Sequence, residues 1–277
     1  MISKETLHTF KSKDRILLHT KEFICLLPHP LLRAYISNYN ITFPSKTLMS
    51  DSFTIMPCGC ATISIEKANN SLYVGLDGPV TLPYLAGKEA SQLDMMISIE
   101  FRPAGLYAIT GISQNQLTNK SFPLDAISPA FTKSIADSIE KSASISDLVS
   151  ELDTIFITHN HTAYRPELMM ALHDIKASTG NISIKQLSEN THYSQRHLSR
   201  IFNQFVGTSA KSFSRIIRIN SSFRLLKKPH ANLAHVSDIA GFHDLSHFIH
   251  DFKLVCGVTP QEYCRNMSDF YSNPTRF

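Results

Sequence analysis

The stretch Leu198-Ser199-Arg200-Ile201-Phe202, followed by Gly207, returns fifty residues later as Phe248-Ile249-His250-Asp251-Phe252, followed by Gly257. Apolar residues at both ends of the stretch and the later glycine coincide at this constant offset, which marks an internal repeat. Apolar residues three or four positions apart lie on one face of a helix. The repeat therefore predicts two equivalent amphipathic helices, each followed by a glycine.

A shorter helix is predicted before each of these two. The segments Ser183-Ile184-Lys185-Gln186-Leu187-Ser188 and Asn232-Leu233-Ala234-His235-Val236-Ser237 both begin with a residue that caps helix N-termini and end with a small one. Ser183 and Gln186 also fit a capping box. A small residue at Ser188 and Ser237 lets two helices cross closely, as in a helix-turn-helix motif. Two such motifs are predicted, over residues 183–207 and 232–257.

A longer helix is predicted between the two motifs. Apolar residues recur at helical spacing from Ser209 to Leu226, and Lys227-Lys228-Pro229 then ends the pattern. Such a helix would be roughly 27 Å long, close to the roughly 34 Å between successive major-groove faces of a DNA duplex. The spacing therefore favours two DNA-reading helices joined by a rigid connection.

These residues resemble the AraC family of bacterial transcription regulators over about 167 to 266. The C-terminal half of the resemblance is carried by Gly241-Phe242, Ser246-His247-Phe248, Phe252-Lys253, Gly257, Thr259-Pro260, Tyr263 and Arg265. The first half is carried by Ser194, Leu198, Ser199-Arg200, Phe202, Gly207 and Arg218. The resemblance implies double-stranded DNA as a partner, RNA polymerase as a second one, and activation as the usual outcome.

Candidate DNA-binding residues lie on the predicted outer face of each second helix. In the first motif they are Gln195, Arg196, Ser199, Arg200 and Asn203. In the second motif they are Leu245, Ser246, His247, Ile249 and His250. Arginine is the side chain best shaped to bind guanine with two hydrogen bonds, although Arg200 could instead only bind phosphate or pack its aliphatic stem on the core. The second set has few hydrogen-bonding groups for base edges, so we expect it to contribute apolar, shape and phosphate contacts.

Charge divides the chain in the same way. Residues 165–277 contain 14 Lys and Arg against 8 Asp and Glu, a net of +6, whereas residues 1–164 contain 13 against 15, a net of −2. A basic module joined to a slightly acidic one suits polyanion binding by the first and another task for the second.

The first half reads as a β-rich domain with helices at its end. Short segments rich in β-branched and aromatic residues are separated by Gly, Pro, Asn and Asp, and they predict strands at Ser52–Met56, Ala61–Glu66, Ser71–Leu76, Val80–Leu85, Asp94–Phe101 and within Leu31–Phe43. Apolar stripes at helical spacing follow, one from Phe131 to Ile139 and one from Ile145 to Phe156. The second stripe packs either against its own sheet or against a second copy of the chain.

The stretch Phe101-Arg102-Pro103-Ala104-Gly105 predicts a strand leading into a helix, with Pro103 in the first helical turn. Together with residues 32–36 and 56–60 it resembles a sensor-like domain found in a subset of AraC-type regulators and written with the motif F-R-P-G-G. Ala104 replaces the first glycine of that motif, and Cys58 stands where an Asp is expected. We take Arg102, Tyr84 and Tyr107 as effector-binding candidates; the alternative for Arg102 is that it only caps the rim of the sheet.

Several function classes are disfavoured. The sequence holds no His between His29 and His159, so the predicted strands cannot supply the ligands of a metal-dependent β-barrel enzyme. It holds no glycine-rich phosphate loop and no nucleophile elbow. We therefore expect no catalytic residue, no cofactor and no metal site. A polar start and the lack of a run of about 18 apolar residues predict a cytoplasmic protein with no membrane contact.

The sequence thus predicts an α+β domain over 1–160, a sandwich or barrel with C-terminal helices, a linker over 161–166, and an all-α DNA-binding domain over 167–277. The function expected is a sequence-specific transcription regulator whose first domain senses a small molecule or forms a homodimer. The alternative is that this domain is a protein-interaction module without a small-molecule ligand.

Overall fold

The computed structural model describes residues 2–46, 48–49, 53–159, 162–228 and 231–266. Ser52, His161 and Pro229 lie outside these residues, and with them the start of one predicted strand, the start of the predicted linker and the proline expected to follow the long helix. Residues 267–277 at the end of the predicted DNA-binding domain also lie outside them.

The N-terminal half is built on an antiparallel sheet. Its strands are β1 Ile16–His19, β2 Phe23–Leu26, β3 Ile36–Thr42, β4 Thr54–Ile55, β5 Thr62–Ala68, β6 Ser71–Asp77, β7 Tyr84–Leu85, β8 Met95–Phe101 and β9 Ser121–Pro123. Seven of them form one sheet in the order β1-β2-β3-β8-β5-β6-β9, while β4 and β7 pair separately. The β-rich fold predicted for this half is confirmed.

Two parts of the sheet differ from the prediction. Strands β1 and β2 were not predicted, because their apolar residues run consecutively rather than alternating with polar ones. The predicted strand Val80–Leu85 is reduced to the two residues of β7. Backbone groups of Val80 are bonded instead to the turn at residues 59–60, where Gly59 N donates to Val80 O at 2.8 Å.

Four helices accompany the sheet: α1 Gly87–Ala90, α2 Gly105–Thr110, α3 Pro129–Lys141 and α4 Ile145–Thr158. The predicted stripe of α4, including Leu148, Leu152 and Phe156, is buried in one core with Ile97 and Ile99 of β8. Of the two alternatives for this stripe, the structure shows packing against its own sheet.

The expectation that Pro103 lies in the first turn of a helix is wrong. Helix α2 begins at Gly105, and Ala104 before it has φ +66° in the left-handed region. A Cβ atom on Gly105 would lie 2.0 Å from Tyr35 O. The backbone at Tyr35, just before β3, therefore comes so close to residue 105 that only a residue without a side chain fits there. The helix begins at this glycine, two residues after Pro103.

The described residues of the C-terminal half form helices and no strand: α5 Pro166–Ala177, α6 Ile184–Thr191, α7 Gln195–Phe205, α8 Ala210–Leu226, α9 Leu233–Ile239, α10 Leu245–Cys256 and α11 Pro260–Asn266. Helices α6 and α7 form the first helix-turn-helix motif, α9 and α10 the second, and α8 joins them, as predicted. The capping box is also confirmed, since Gln186 N donates to Ser183 Oγ at 3.1 Å and Ser183 N to Gln186 Oε1 at 2.9 Å.

Helix α8 contributes to two separate apolar cores. Its first part, with Phe213 and Ile217, packs with α5, α6 and α7. Its second part, with Ile219 and Phe223, packs with α9, α10 and α11. The second core also takes up Met49, Phe53 and Met56 of the N-terminal half. The two halves of the chain therefore share apolar packing.

Within the described ranges, every helix is too short or too polar to cross a bilayer. The same residues contain no group of three or more His, Cys, Asp or Glu arranged to hold a metal ion.

Candidate DNA-binding surface

Helix α7 presents one buried and one exposed face. Ser194 caps it, its Oγ accepting from His197 N at 3.2 Å. Leu198, Ile201 and Phe202 are fully buried against the neighbouring helices. Because this face is fixed by packing, the opposite face is held outward.

The outer face of α7 carries four of the five residues predicted to bind DNA in the first motif. Gln195, Arg196, Ser199 and Arg200 are all exposed. The Arg200 guanidinium lies 3.5 Å from His197 Nδ1. Among the described residues neither arginine forms an ion pair with a carboxylate. Both are therefore available to an external acceptor.

Asn203, the fifth predicted residue, is only half-buried and points back to its own helix. Its Nδ2 donates to Ser199 O at 2.9 Å. The amide is thus engaged in the free protein, and binding to a base would require this hydrogen bond to break.

A small polar cluster supports the start of α7. The His197 ring stacks on Tyr193 with centroids 4.6 Å apart, and its Nε2 lies 3.6 Å from Glu167 Oε1. The pKa of Glu167 is lowered, mainly because its carboxylate accepts a hydrogen bond from the backbone amide of the same residue. Arg165 and His197 lower it further. The carboxylate therefore lies where the start of α5 meets the start of α7.

Helix α10 is the second candidate reading helix. Asp244 caps it, its Oδ1 accepting from His247 N at 2.7 Å, and this bond is the main cause of the lowered pKa of Asp244. The residues predicted here to bind DNA share one outward side: Leu245, Ser246, His247 and His250 are exposed, and Ile249 is half-buried. The side is more apolar than that of α7, because Leu254 further along is also 48% exposed.

A serine donates a hydrogen bond across the turn in both motifs. Ser188 Oγ donates to Tyr193 O at 2.6 Å, and Ser237 Oγ donates to Asp244 O at 3.0 Å. The two serines were predicted to be needed for their small size. The structure adds that each hydroxyl binds the backbone that enters the reading helix, which fixes the angle between the helices of the motif.

Helix α8 connects to the second motif through charged groups that the sequence analysis did not identify. Asp251 on α10 is 3% exposed, and its carboxylate lies 3.2 Å from Arg215 Nε and 3.4 Å from His247 Nε2. The Arg218 guanidinium lies 4.8 Å from the centre of the Phe242 ring. These contacts hold α10 at a defined angle to α8.

The two motifs also touch directly. Asn181 Nδ2, just before α6, donates to Ala240 O in the second turn at 3.0 Å. A sequence signal for this contact would be hard to find, because an Asn after a Gly is common in ordinary turns.

The three effector-binding candidates have different contact partners. Arg102 Nε donates to Arg33 O at 2.6 Å. The Tyr107 ring packs on Phe205 of α7, with centroids 4.3 Å apart. The Tyr84 side chain on β7 is 56% exposed, and its pKa is raised by the burial of the remainder and, to a smaller extent, by nearby carboxylates. Their role in binding an effector stays a prediction.

Two families match the chain. Residues 187–266 match a helix-turn-helix domain family, and residues 25–123 match a domain of unknown function, DUF6597. The helix-turn-helix match begins in α6 and ends with α11, so it spans both motifs and α8. Residues 187–266 thus form a double helix-turn-helix DNA-binding domain. This domain is of the AraC type.

Curated relatives match the same region. HTH-type transcriptional regulator YisR of Bacillus subtilis is 29% identical over 86 residues, which cover 31% of this chain and 30% of the relative. The XylDLEGF operon transcriptional activator of Pseudomonas putida is 31% identical over 88 residues, covering 31% of this chain and 27% of the relative. The alignments thus span about a third or less of the length of these relatives.

A solved structure of ToxT from Vibrio cholerae is similar over a longer range. It covers 83% of this chain and 93% of that protein at 13% identity, with a TM-score of 0.40. This score is too low to carry a conclusion about function.

Proposed function

We propose that the protein is a sequence-specific regulator of transcription, most simply an activator, that binds two neighbouring major-groove segments of duplex DNA through α7 and α10. The observation that carries the proposal is the pair of capped helices with exposed outward faces, polar on α7 and more apolar on α10, held by α8 and by the contact between Asn181 and Ala240. The activating role is supported by the Pseudomonas putida relative, which is named as an operon activator.

Base-specific binding by the first motif is assigned to Arg196 and Arg200. Both are exposed on α7 and have no acidic partner among the described residues, so little competes with a guanine edge for their donors. Gln195 and Ser199 lie beside them on the same face and complete the proposed polar contact set. Asn203 joins this set only when its bond to Ser199 O is released.

Apolar contacts are assigned to the second motif. Leu245 and Ile249 on the outward side of α10 suit the methyl group of thymine, which is the apolar feature of the major groove. We propose that Ser246 and His250 bind phosphate or contact the base edges beside it, and that His247 joins them when its ring leaves Asp251.

The test is a selection of binding sites from randomised duplex oligonucleotides with the full chain, followed by affinity measurements on the selected site. Arg196→Ala and Arg200→Ala should each weaken binding to that site by roughly 1–3 kcal/mol and relax preference at one base pair. Lys133→Ala removes an exposed cation of the N-terminal half and serves as the control. Equal weakening on all sequences would assign the two arginines to phosphate, and failure to select any site would refute the proposal.

The N-terminal domain is proposed to regulate this binding, either by sensing a small molecule or by binding another protein, including a second copy of the chain. RNA polymerase is the proposed partner for activation, and the cytoplasm the proposed compartment. The proposal includes no catalytic step, which agrees with the relatives being named as transcriptional regulators. A metabolite screen for shifts in the melting temperature of the full chain tests the sensing mode, because a small molecule that binds the folded protein raises this temperature.

A further inference from the structure

The glycines that follow the two reading helices contact the same segment of the N-terminal domain. A Cβ atom on Gly207 would lie 2.9 Å from Pro79 Cγ, and one on Gly257 would lie 2.9 Å from Pro83 Cγ. The two glycines occupy equivalent positions of the repeat, whereas the two prolines are only four residues apart. Residues 78–83, here called the strap, therefore touch corresponding points of both motifs.

The strap is held firmly in the N-terminal domain. Asn119 N donates to Pro79 O at 3.1 Å, and Thr81 N donates to Asn119 Oδ1 at 2.8 Å. On the other side, Gly59 N donates to Val80 O at 2.8 Å. Because its backbone is bonded on both sides, the strap acts as part of a rigid frame.

The same frame holds the helices at further points. Thr118 Oγ1, beside the strap, lies 2.7 Å from Gly207 O and donates to it, and it also lies 3.0 Å from Gln114 O. In the middle of α8, Asn220 Nδ2 donates to Pro57 O at 3.2 Å. One rigid part of the N-terminal domain thus contacts the end of α7, the middle of α8 and the end of α10.

The length of the strap limits the separation of the reading helices. The Cα atoms of Pro79 and Pro83 are at most about 14 Å apart, because four residues separate them. When the proline rings and the contacts to the two glycines are added, the Cα atoms of Gly207 and Gly257 lie within about 28 Å of each other. Successive major-groove faces of straight DNA are about 34 Å apart. The strap therefore limits the separation of the two helices at their C-terminal ends, while the direction of each helix sets where its first turns meet the DNA.

We propose that the strap and Thr118 are positioning residues for DNA binding: they set the separation of α7 and α10 and so determine which spacing of half-sites the protein accepts. This inference rests on the proposed function. One extra base pair moves a half-site by about 3.4 Å and turns it by about 34°. To follow it, one reading helix must shift in the frame: a shift of α7 breaks the bond between Thr118 and Gly207, and a shift of α10 opens the contact between Gly257 and Pro83.

The experiment measures the affinity of the full chain for its selected site and for versions with one base pair inserted or removed between the half-sites. The spacing penalty is the ratio of the two dissociation constants. In the original protein this penalty includes the cost of breaking the hydrogen bond from Thr118 to Gly207 O. The variant Thr118→Val has no such bond to break. The penalty should therefore be about fivefold smaller in the variant, while affinity for the original spacing changes little.

Thr132→Val is the matched control. Its hydroxyl is also half-buried, but it donates to Ser128 O at 2.9 Å at the start of α3. Pro83→Ala is a second test at the other end of the strap, where a half-buried ring is removed without touching a hydrogen bond to α7. It should reduce the spacing penalty in the same direction. Melting curves establish that each variant is folded.

Equal spacing penalties in the original protein, Thr118→Val and Pro83→Ala would overturn the inference and leave the proposed function standing. A selection that yields no preferred site would instead overturn the proposed function, and this inference with it.

Discussion

Asp251→Asn is the substitution for which the structure makes the sharpest stability prediction. The carboxylate is 3% exposed and lies between Arg215 on α8 and His247 on α10, at 3.2 Å and 3.4 Å. Asparagine keeps the shape but removes the charge that compensates the Arg215 guanidinium. The amide can still accept from one of its two neighbours.

The size of the effect follows from burial. Removing one partner of a fully buried ion pair costs about 3–5 kcal/mol. The Arg215 side chain is 26% exposed and gains some hydration when its partner is lost, so we expect about 2 kcal/mol. For a chain of this size that corresponds to a drop of about 4–8 °C in the melting temperature.

The assay is thermal unfolding followed by circular dichroism, with Asp238→Asn as control. Asp238 is exposed on the neighbouring helix α9, and its substitution should change the melting temperature by less than about 2 °C. Equal melting temperatures for the two variants would refute the view that Asp251 holds α10 to α8.

Two further predictions concern backbone packing in the DNA-binding domain. Ser237→Leu should destabilise the protein by roughly 1–3 kcal/mol, because Ser237 is fully buried where α9 meets the turn; an unchanged thermal midpoint would contradict the packing described. Gly180→Ala and Gly111→Ala both place a side chain at positive φ, but only at Gly180 would the new Cβ meet backbone, 2.2 Å from Ser214 O. Urea unfolding should therefore show a loss of about 1 kcal/mol for Gly111→Ala and clearly more for Gly180→Ala, and similar losses would argue against the close approach of residue 180 to α8.

Local features of the DNA-binding domain could be predicted well from the sequence. The predicted caps at Ser183 and Asn232 accept hydrogen bonds from backbone amides of their helices, and the helix predicted from Ser209 is observed from Ala210 to Leu226. Caps and helical periodicity depend on residues within one or two turns of each other, so the sequence contains the information directly. Which of the exposed residues bind bases stays a prediction.

The N-terminal half was predicted less completely. Its β-rich character was correct, but β1 and β2 were missed, and residues 80–83 do not pair as a strand. The composition of that segment suits a strand, yet its backbone groups bind the turn at residues 59–60 and Asn119. Partners so distant in the chain leave no periodic signal in either segment.

The sequence by itself determined that the chain carries two helix-turn-helix motifs, because a fifty-residue repeat of apolar positions, caps and glycines is legible without knowing any contact. Only the tertiary structure decided how these motifs are held: Asp251 faces Arg215, Asn181 reaches Ala240, and Pro79 and Pro83 meet Gly207 and Gly257. The physical reason is that helix formation depends on neighbours along the chain, whereas the angle and distance between helices depend on side chains that meet only after the chain has folded.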